Sequence, residues 1–146
     1  MSDLTVARNT SAQALRWQVP GLERVYADAL RSWAKEQGVQ LPVIPPHCDS
    51  AYHLFHMVMP SPQARGAIIE HLKRLGVNAV FHYLPLHLSK MGQSLGGRPG
   101  TLPVTERVSD CLVRLPLYAG MTAAEQEQVV DAVAQFDVSR AAVTAR

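Results

Sequence analysis

Apolar residues recur at helical spacing between residues 22 and 37. Leu22, Val25, Tyr26, Ala29, Leu30 and Trp33 make one stripe, and Gly38 follows as a C-terminal stop. Ahead of that stripe, Pro20-Gly21 predicts a helix break and leaves residues 1–21 as a weakly ordered N-terminal segment. Residues 41–46 (LPVIPP) are punctuated by prolines and predict an extended connector. The short apolar run YHLFHMVM at 52–59 predicts a strand buried on both faces. Ser61-Pro62 then supplies an N-cap and a first-turn proline. The helix they open runs to residue 75, with Ala64, Ala67, Ile68, His71, Leu72 and Leu75 on one face and Gly76 as its stop.

Residues 78–82 predict a second strand. Residues 89–100, with four glycines and one proline, predict a mobile loop. A short helix is expected over 104–110 and a third strand over 111–117 (CLVRLPL). Thr122 and Glu125 are spaced as a capping box for a last helix that reaches about residue 136 and buries Val129, Val130, Val133 and Phe136. Beyond it the chain shows no clear apolar face, so 138–146 reads as a tail. The pattern is that of an α+β domain over 22–137: a small sheet of about three strands covered by helices.

Length agrees with one domain, and 146 residues can bury a core without disulfide or metal support. The 14 Lys and Arg against 12 Asp and Glu are spread along the chain, and three are lysines. That pattern offers no stripe for nucleic acid. Cys48 and Cys111 stand far apart, outside any CxxC motif, and read as free thiols of a cytosolic protein. The N-terminus has no apolar signal core, and no window approaches the ~18 apolar residues of a membrane span. A cytoplasmic protein with no membrane partner is expected.

The chemistry concentrates in GVNAVFHYLPLH at 76–87. There a short apolar strand delivers His82, Tyr83 and His87 to a segment that Pro85 prevents from continuing as a strand. Imidazole and phenol groups on a rigid strand end suit a polar ligand such as a sugar hydroxyl. The competing reading has one histidine capping the strand and the other solvated. His53 and His56 are three apart, so they point to opposite faces of a strand, and adding Cys48 gives no zinc spacing. No metal site is assigned. His71 reads as a core or edge histidine. Glu36, Glu70 and Glu106 form no carboxylate dyad, the serines lack a nucleophile elbow, and Gly96-Gly97-Arg98-Pro99-Gly100 lacks phosphate-loop spacing. No catalytic residue is assigned.

Several segments, taken in order, resemble a known family. They are LPVIPPHC (41–48), YHLFHMVM (52–59), HLKRLGVNA (71–79), VFHYLPLH (80–87) and ERVSDCLVRLPLYAGMT (106–122). Together they resemble the C-terminal small domain of the DegT/StrS family of sugar-nucleotide aminotransferases, nearest the branch that aminates TDP-4-oxo-6-deoxy-D-glucose. The resemblance implies a fold type I transaminase that uses pyridoxal phosphate and glutamate and works as a homodimer. It also implies a place in lipopolysaccharide or surface-polysaccharide biosynthesis. It places His82, Tyr83 and His87 as substrate-positioning residues for a nucleotide-linked sugar.

In that family the Schiff-base lysine, the acidic partner of the pyridine nitrogen and the phosphate loop lie in a large N-terminal domain. None of the three lysines here matches the family's lysine motif, and Pro20-Gly21 interrupts what should be a continuous helix. The implied protein is therefore a detached or truncated small domain. It is expected to bind no cofactor alone, to be inactive alone, and to depend on a large-domain chain or on homo-oligomerisation. A stand-alone nucleotide-sugar binding module and a non-functional remnant remain open as alternatives.

Overall fold

A computed structural model of the chain describes residues 10–141 apart from 49 and 52, with only the backbone described for 10–20, 140 and 141. The expected disorder of the first residues and the end of the expected tail fall outside these residues, as does Tyr52 at the start of the first predicted strand.

Helix α1 spans Thr10–Gln37 and passes through Pro20 and Gly21 without stopping. The predicted break is therefore corrected, and with it the predicted interruption of a continuous helix. An interior proline removes one N–H and crowds the preceding turn, at a cost of about 3 kcal/mol. The turns that follow are anchored by Tyr26, Leu30 and Ala34, all buried in the core. The buried stripe runs through these three residues, whereas Val25 and Ala29 form the neighbouring row and face solvent. Gly38, with φ of 68°, ends the helix in a left-handed conformation that a side chain would disfavour.

Strand β1 is Phe55–Val58, β2 is Val80–Phe81 and β3 is Leu112–Leu115. They form one antiparallel sheet in the order β1-β3-β2, so the last strand in sequence is the central one. Helix α2, Pro62–Arg74, is capped by the Ser61 hydroxyl, which accepts from the Ala64 N–H at 3.1 Å. Its Ala64, Ile68 and Leu72 are buried; Leu75 lies at its C-cap and is exposed. Helix α3 is Lys90–Ser94, α4 is Pro103–Cys111, α5 is Ala123–Ala134 and α6 is Val138–Ala141. The capping box forms as predicted: Thr122 Oγ1 accepts from the Glu125 N–H, while Glu125 accepts from the Thr122 N–H at 2.7 Å.

Alternation decides what each side of the sheet carries. Phe55 faces Leu115, and Met57 faces Val113; all four are buried against Tyr26, Leu30, Ile68, Leu72 and Val133 from α1, α2 and α5. The opposite side carries the row His56–Arg114–Val80. The first strand is thus buried on both faces only in part: on its outer side Val58 is buried and His56 is half-buried. Three polar contacts lock the layers. Tyr26 donates its hydroxyl to the Pro116 carbonyl at 2.8 Å, Trp33 Nε1 donates to the Phe136 carbonyl at 2.9 Å, and His71 Nε2 donates to the Ala132 carbonyl at 2.9 Å. His71 is the edge histidine its helix position predicted, with its ring 5.3 Å from that of Phe136. The predicted featureless tail instead begins with α6, whose Val138 packs on the core and donates its N–H to Gln37 Oε1 at 2.8 Å. No helix among the described residues is long and apolar enough to cross a membrane.

Candidate functional site

The segment that leaves β2 stays extended through Pro85 and lies beside α4. Ser109 Oγ, on α4, donates to the Tyr83 carbonyl at 3.2 Å and pins the two together. Between them runs a groove of about 520 Å³. One wall is His82, Tyr83, Leu84, Pro85 and Leu86; the other is Val104, Thr105, Val108, Ser109 and Leu112. The walls are mainly apolar, with His82, Tyr83, Thr105 and Ser109 as the polar lining residues, a combination that suits a partly apolar small molecule.

His82 and Tyr83 come together as expected, with ring centroids 5.3 Å apart. Tyr83 is 75% exposed, so its ring is available for stacking. The guanidinium of Arg114 lies over that ring, 5.7 Å from its centroid. Burial, and then the neighbouring His82, hold the His56 imidazole below its ordinary pKa.

His87 is placed differently. Its Nε2 lies 2.9 Å from Glu106 Oε1, both side chains are largely covered, and it is not among the groove's lining residues. The same carboxylate accepts the N–H of Gly100, at 2.9 Å from each oxygen, and the N–H of Leu102 at 3.2 Å. The His87 bond foremost, then the Gly100 N–H, holds the Glu106 carboxyl below its usual range.

The expected mobile loop over 89–100 is instead a folded knot. Leu86–Leu88 make a 3-10 turn, and Ser89 caps α3 by accepting the Gly92 N–H at 3.0 Å. Gly97 donates its N–H to the Gly92 carbonyl at 2.9 Å. Both glycines sit against the His87 backbone so closely that a Cβ on either would overlap it. Glycine was read as flexibility, whereas here it permits close packing. Sequence reasoning also passed over Glu106 as one of several scattered carboxylates, and passed over Arg114. For Arg114 the signal was present: in CLVRLPL, residues 112 and 114 share the face opposite Val113 and Leu115.

Ser109 already gives its hydroxyl proton to the Tyr83 carbonyl. The three lysines, Lys35, Lys73 and Lys90, are exposed and lie outside the groove.

A profile of the DegT/DnrJ/EryC1/StrS aminotransferase family matches residues 18–134. A pleiotropic regulatory protein of Geobacillus stearothermophilus is 33% identical over 97 residues, which is 66% of this chain and 26% of that protein. The dTDP-3-amino-3,4,6-trideoxy-alpha-D-glucose transaminase of Micromonospora megalomicea subsp. nigra is 30% identical over 111 residues, 74% of this chain and 29% of that enzyme. Among solved structures, S. venezuelae DesV in complex with a ketimine intermediate superposes with a TM-score of 0.75 at 26% identity, covering 85% of this chain and 33% of that one. The chain thus spans about a third or less of these relatives.

Proposed function

Because the chain belongs to the DegT/DnrJ/EryC1/StrS aminotransferase family, we propose that it is the small domain of a pyridoxal-phosphate transaminase. Its substrate is a nucleotide-linked 4-keto-6-deoxy sugar, with glutamate as amino donor, in the biosynthesis of a surface polysaccharide. The observation that carries this reading is the groove beside His82 and Tyr83, which lies within the stretch the family profile matches.

His82 can hydrogen-bond a sugar oxygen, and the exposed Tyr83 ring can stack on a sugar or base face. Leu84, Val104 and Val108 provide apolar contact for a deoxygenated carbon. His87 serves the site at one remove, through its tie to Glu106.

Pyridoxal phosphate supplies the electron sink for amino transfer and requires a lysine beside the reacting carbon. This chain's own residues do not fit it, since all three lysines are exposed and none lines the groove. The role proposed for the chain is therefore to bind and orient substrate. The lysine chemistry belongs to the family's large domain, and the small domain by itself is inactive.

Calorimetric titration with TDP-4-keto-6-deoxyglucose tests the substrate role. Saturable binding that weakens at least tenfold in a folded His82→Ala variant is the expected result. Equal affinity in both proteins, or no heat from folded wild type, overturns it. Turnover with glutamate and added cofactor by the chain alone overturns the claim of inactivity.

A further inference from the structure

Tyr83 is held at two points although it is largely exposed. Ser109 donates its hydroxyl to the Tyr83 carbonyl at 3.2 Å, which fixes the backbone. The Arg114 guanidinium carbon lies 5.7 Å from the ring centroid, which steadies the ring. Both holds come from one stretch of chain, the end of α4 and the strand β3 that follows it. Strand β3 is central, and Arg114 is paired with His56 on one side and Val80 on the other, so its backbone is fixed. Its side chain does little for stability. No carboxylate ion-pairs with Arg114 among the described residues, and its Nε is buried with no hydrogen-bond partner. A buried donor without a partner weakens a fold. An arginine in this position therefore has a use other than stability, and the contact it makes is with the Tyr83 ring.

We propose that Arg114 is a positioning residue: it holds the Tyr83 ring as a preformed platform on which the ligand of the groove stacks. One face of the ring lies under the guanidinium, and the exposure of Tyr83 leaves the other open. A ring that turns freely must be ordered when ligand binds, which subtracts from affinity; a ring already held loses less. Arginine suits the task because its planar guanidinium stacks on an aromatic face and stays charged. This part rests on the proposed function, in which the stacking partner is a flat face of the nucleotide-linked sugar. The role is indirect: Arg114 acts through Tyr83 and is not among the groove's lining residues.

The test is calorimetric titration of the full chain with TDP-4-keto-6-deoxyglucose. Arg114→Met keeps the apolar stem and removes the charge; it is expected to weaken binding about two- to fivefold. Arg114→Lys, which keeps a cation over the ring, is expected to recover at least part of that loss. In a Tyr83→Leu background, Arg114→Met is expected to have no further effect, because its route to the ligand is gone. Urea unfolding separates this role from a structural one: Arg114→Met is expected to unfold at the same or a higher denaturant concentration than wild type. Should Arg114→Met fail to fold, Arg114→Gln takes its place in the same cycle. Equal affinity of wild type and the folded variant overturns the proposal, and so does a loss that persists undiminished in the Tyr83→Leu background. Binding that depends on His82 but ignores Arg114 leaves the nucleotide-sugar reading standing while the positioning role falls. No binding by folded wild type overturns the nucleotide-sugar reading and this role with it.

Discussion

Glu106 and His87 are 19 residues apart in sequence, yet their side chains meet at 2.9 Å, and the carboxylate simultaneously takes the N–H groups of Gly100 and Leu102. One carboxylate therefore ties the turn after the groove wall, the glycine knot and the start of α4 into a single unit. Its effect on the groove is indirect: it fixes the chain on which Leu86 and Val104 stand.

Glu106→Gln keeps the shape of the side chain but removes the charge that strengthens these hydrogen bonds. The amides of Gly100 and Leu102 are expected to lose exchange protection several-fold, while core amides such as that of Val113 keep theirs. Hydrogen exchange read by NMR checks this.

The same latch sets an acid limit. The Glu106 carboxyl is held below its ordinary 4.5 chiefly by His87, then by Gly100. A carboxylate with a depressed folded pKa contributes stability that is complete above the unfolded value and is lost as pH falls through the folded one. Protection at Gly100 and Leu102, corrected for intrinsic exchange, is thus expected to hold at neutral pH and to fall only below 4.5. Uniform protection down to the acid unfolding of the whole domain would contradict it.

Gly92→Ala and Gly97→Ala each place a methyl group into the His87 backbone, and Gly66→Ala, on α2, meets nothing. Overpacking of this kind costs about 1–3 kcal/mol. Replacing an exposed mid-helix glycine by alanine gains roughly 0.5–1 kcal/mol. Opposite signs in urea unfolding are expected, and a neutral result at both Gly92 and Gly97 would mean the knot yields freely.

Tyr26→Phe removes the bond to the Pro116 carbonyl and should cost about 1 kcal/mol. Burial, then Tyr118, raises the Tyr26 pKa above its usual 10. Stability linked to a raised pKa is present below the unfolded value and declines as pH rises past it. Alkaline destabilisation beyond pH 10 is therefore expected to be shallower in the variant, as read by chemical unfolding at stepped pH.

Leu84, Leu86 and Val104 expose a continuous apolar edge of the groove, with Leu86 85% exposed. Surfaces of this kind bind partners or aggregate. The wild-type chain is expected to bind a hydrophobic dye and to self-associate with rising concentration. Leu86→Glu combined with Val104→Glu should reduce both without changing the circular dichroism. Unchanged dye binding would place the adhesive surface elsewhere.

Local signals were sufficient for most elements. Ser61-Pro62, the Thr122–Glu125 box and the apolar rows Ala64–Ile68–Leu72 and Val129–Val133 each specify an element through contacts a few residues apart, so those elements stand where the sequence put them. The sequence likewise brought His82 and Tyr83 forward, because a strand end followed by a proline is a local pattern. What needed the tertiary structure depends on long-range contacts. Helix α1 runs through Pro20-Gly21 and is anchored by the core burial of Tyr26 and Leu30 in the turns that follow. A carboxylate on another helix and a close backbone approach turned a glycine-rich loop into a knot around His87. Antiparallel pairing with a strand more than 50 residues away placed Arg114 beside His56. Propensity reports what a residue prefers among its chain neighbours; which side chains meet across the fold is set by packing, and that is where the site is made.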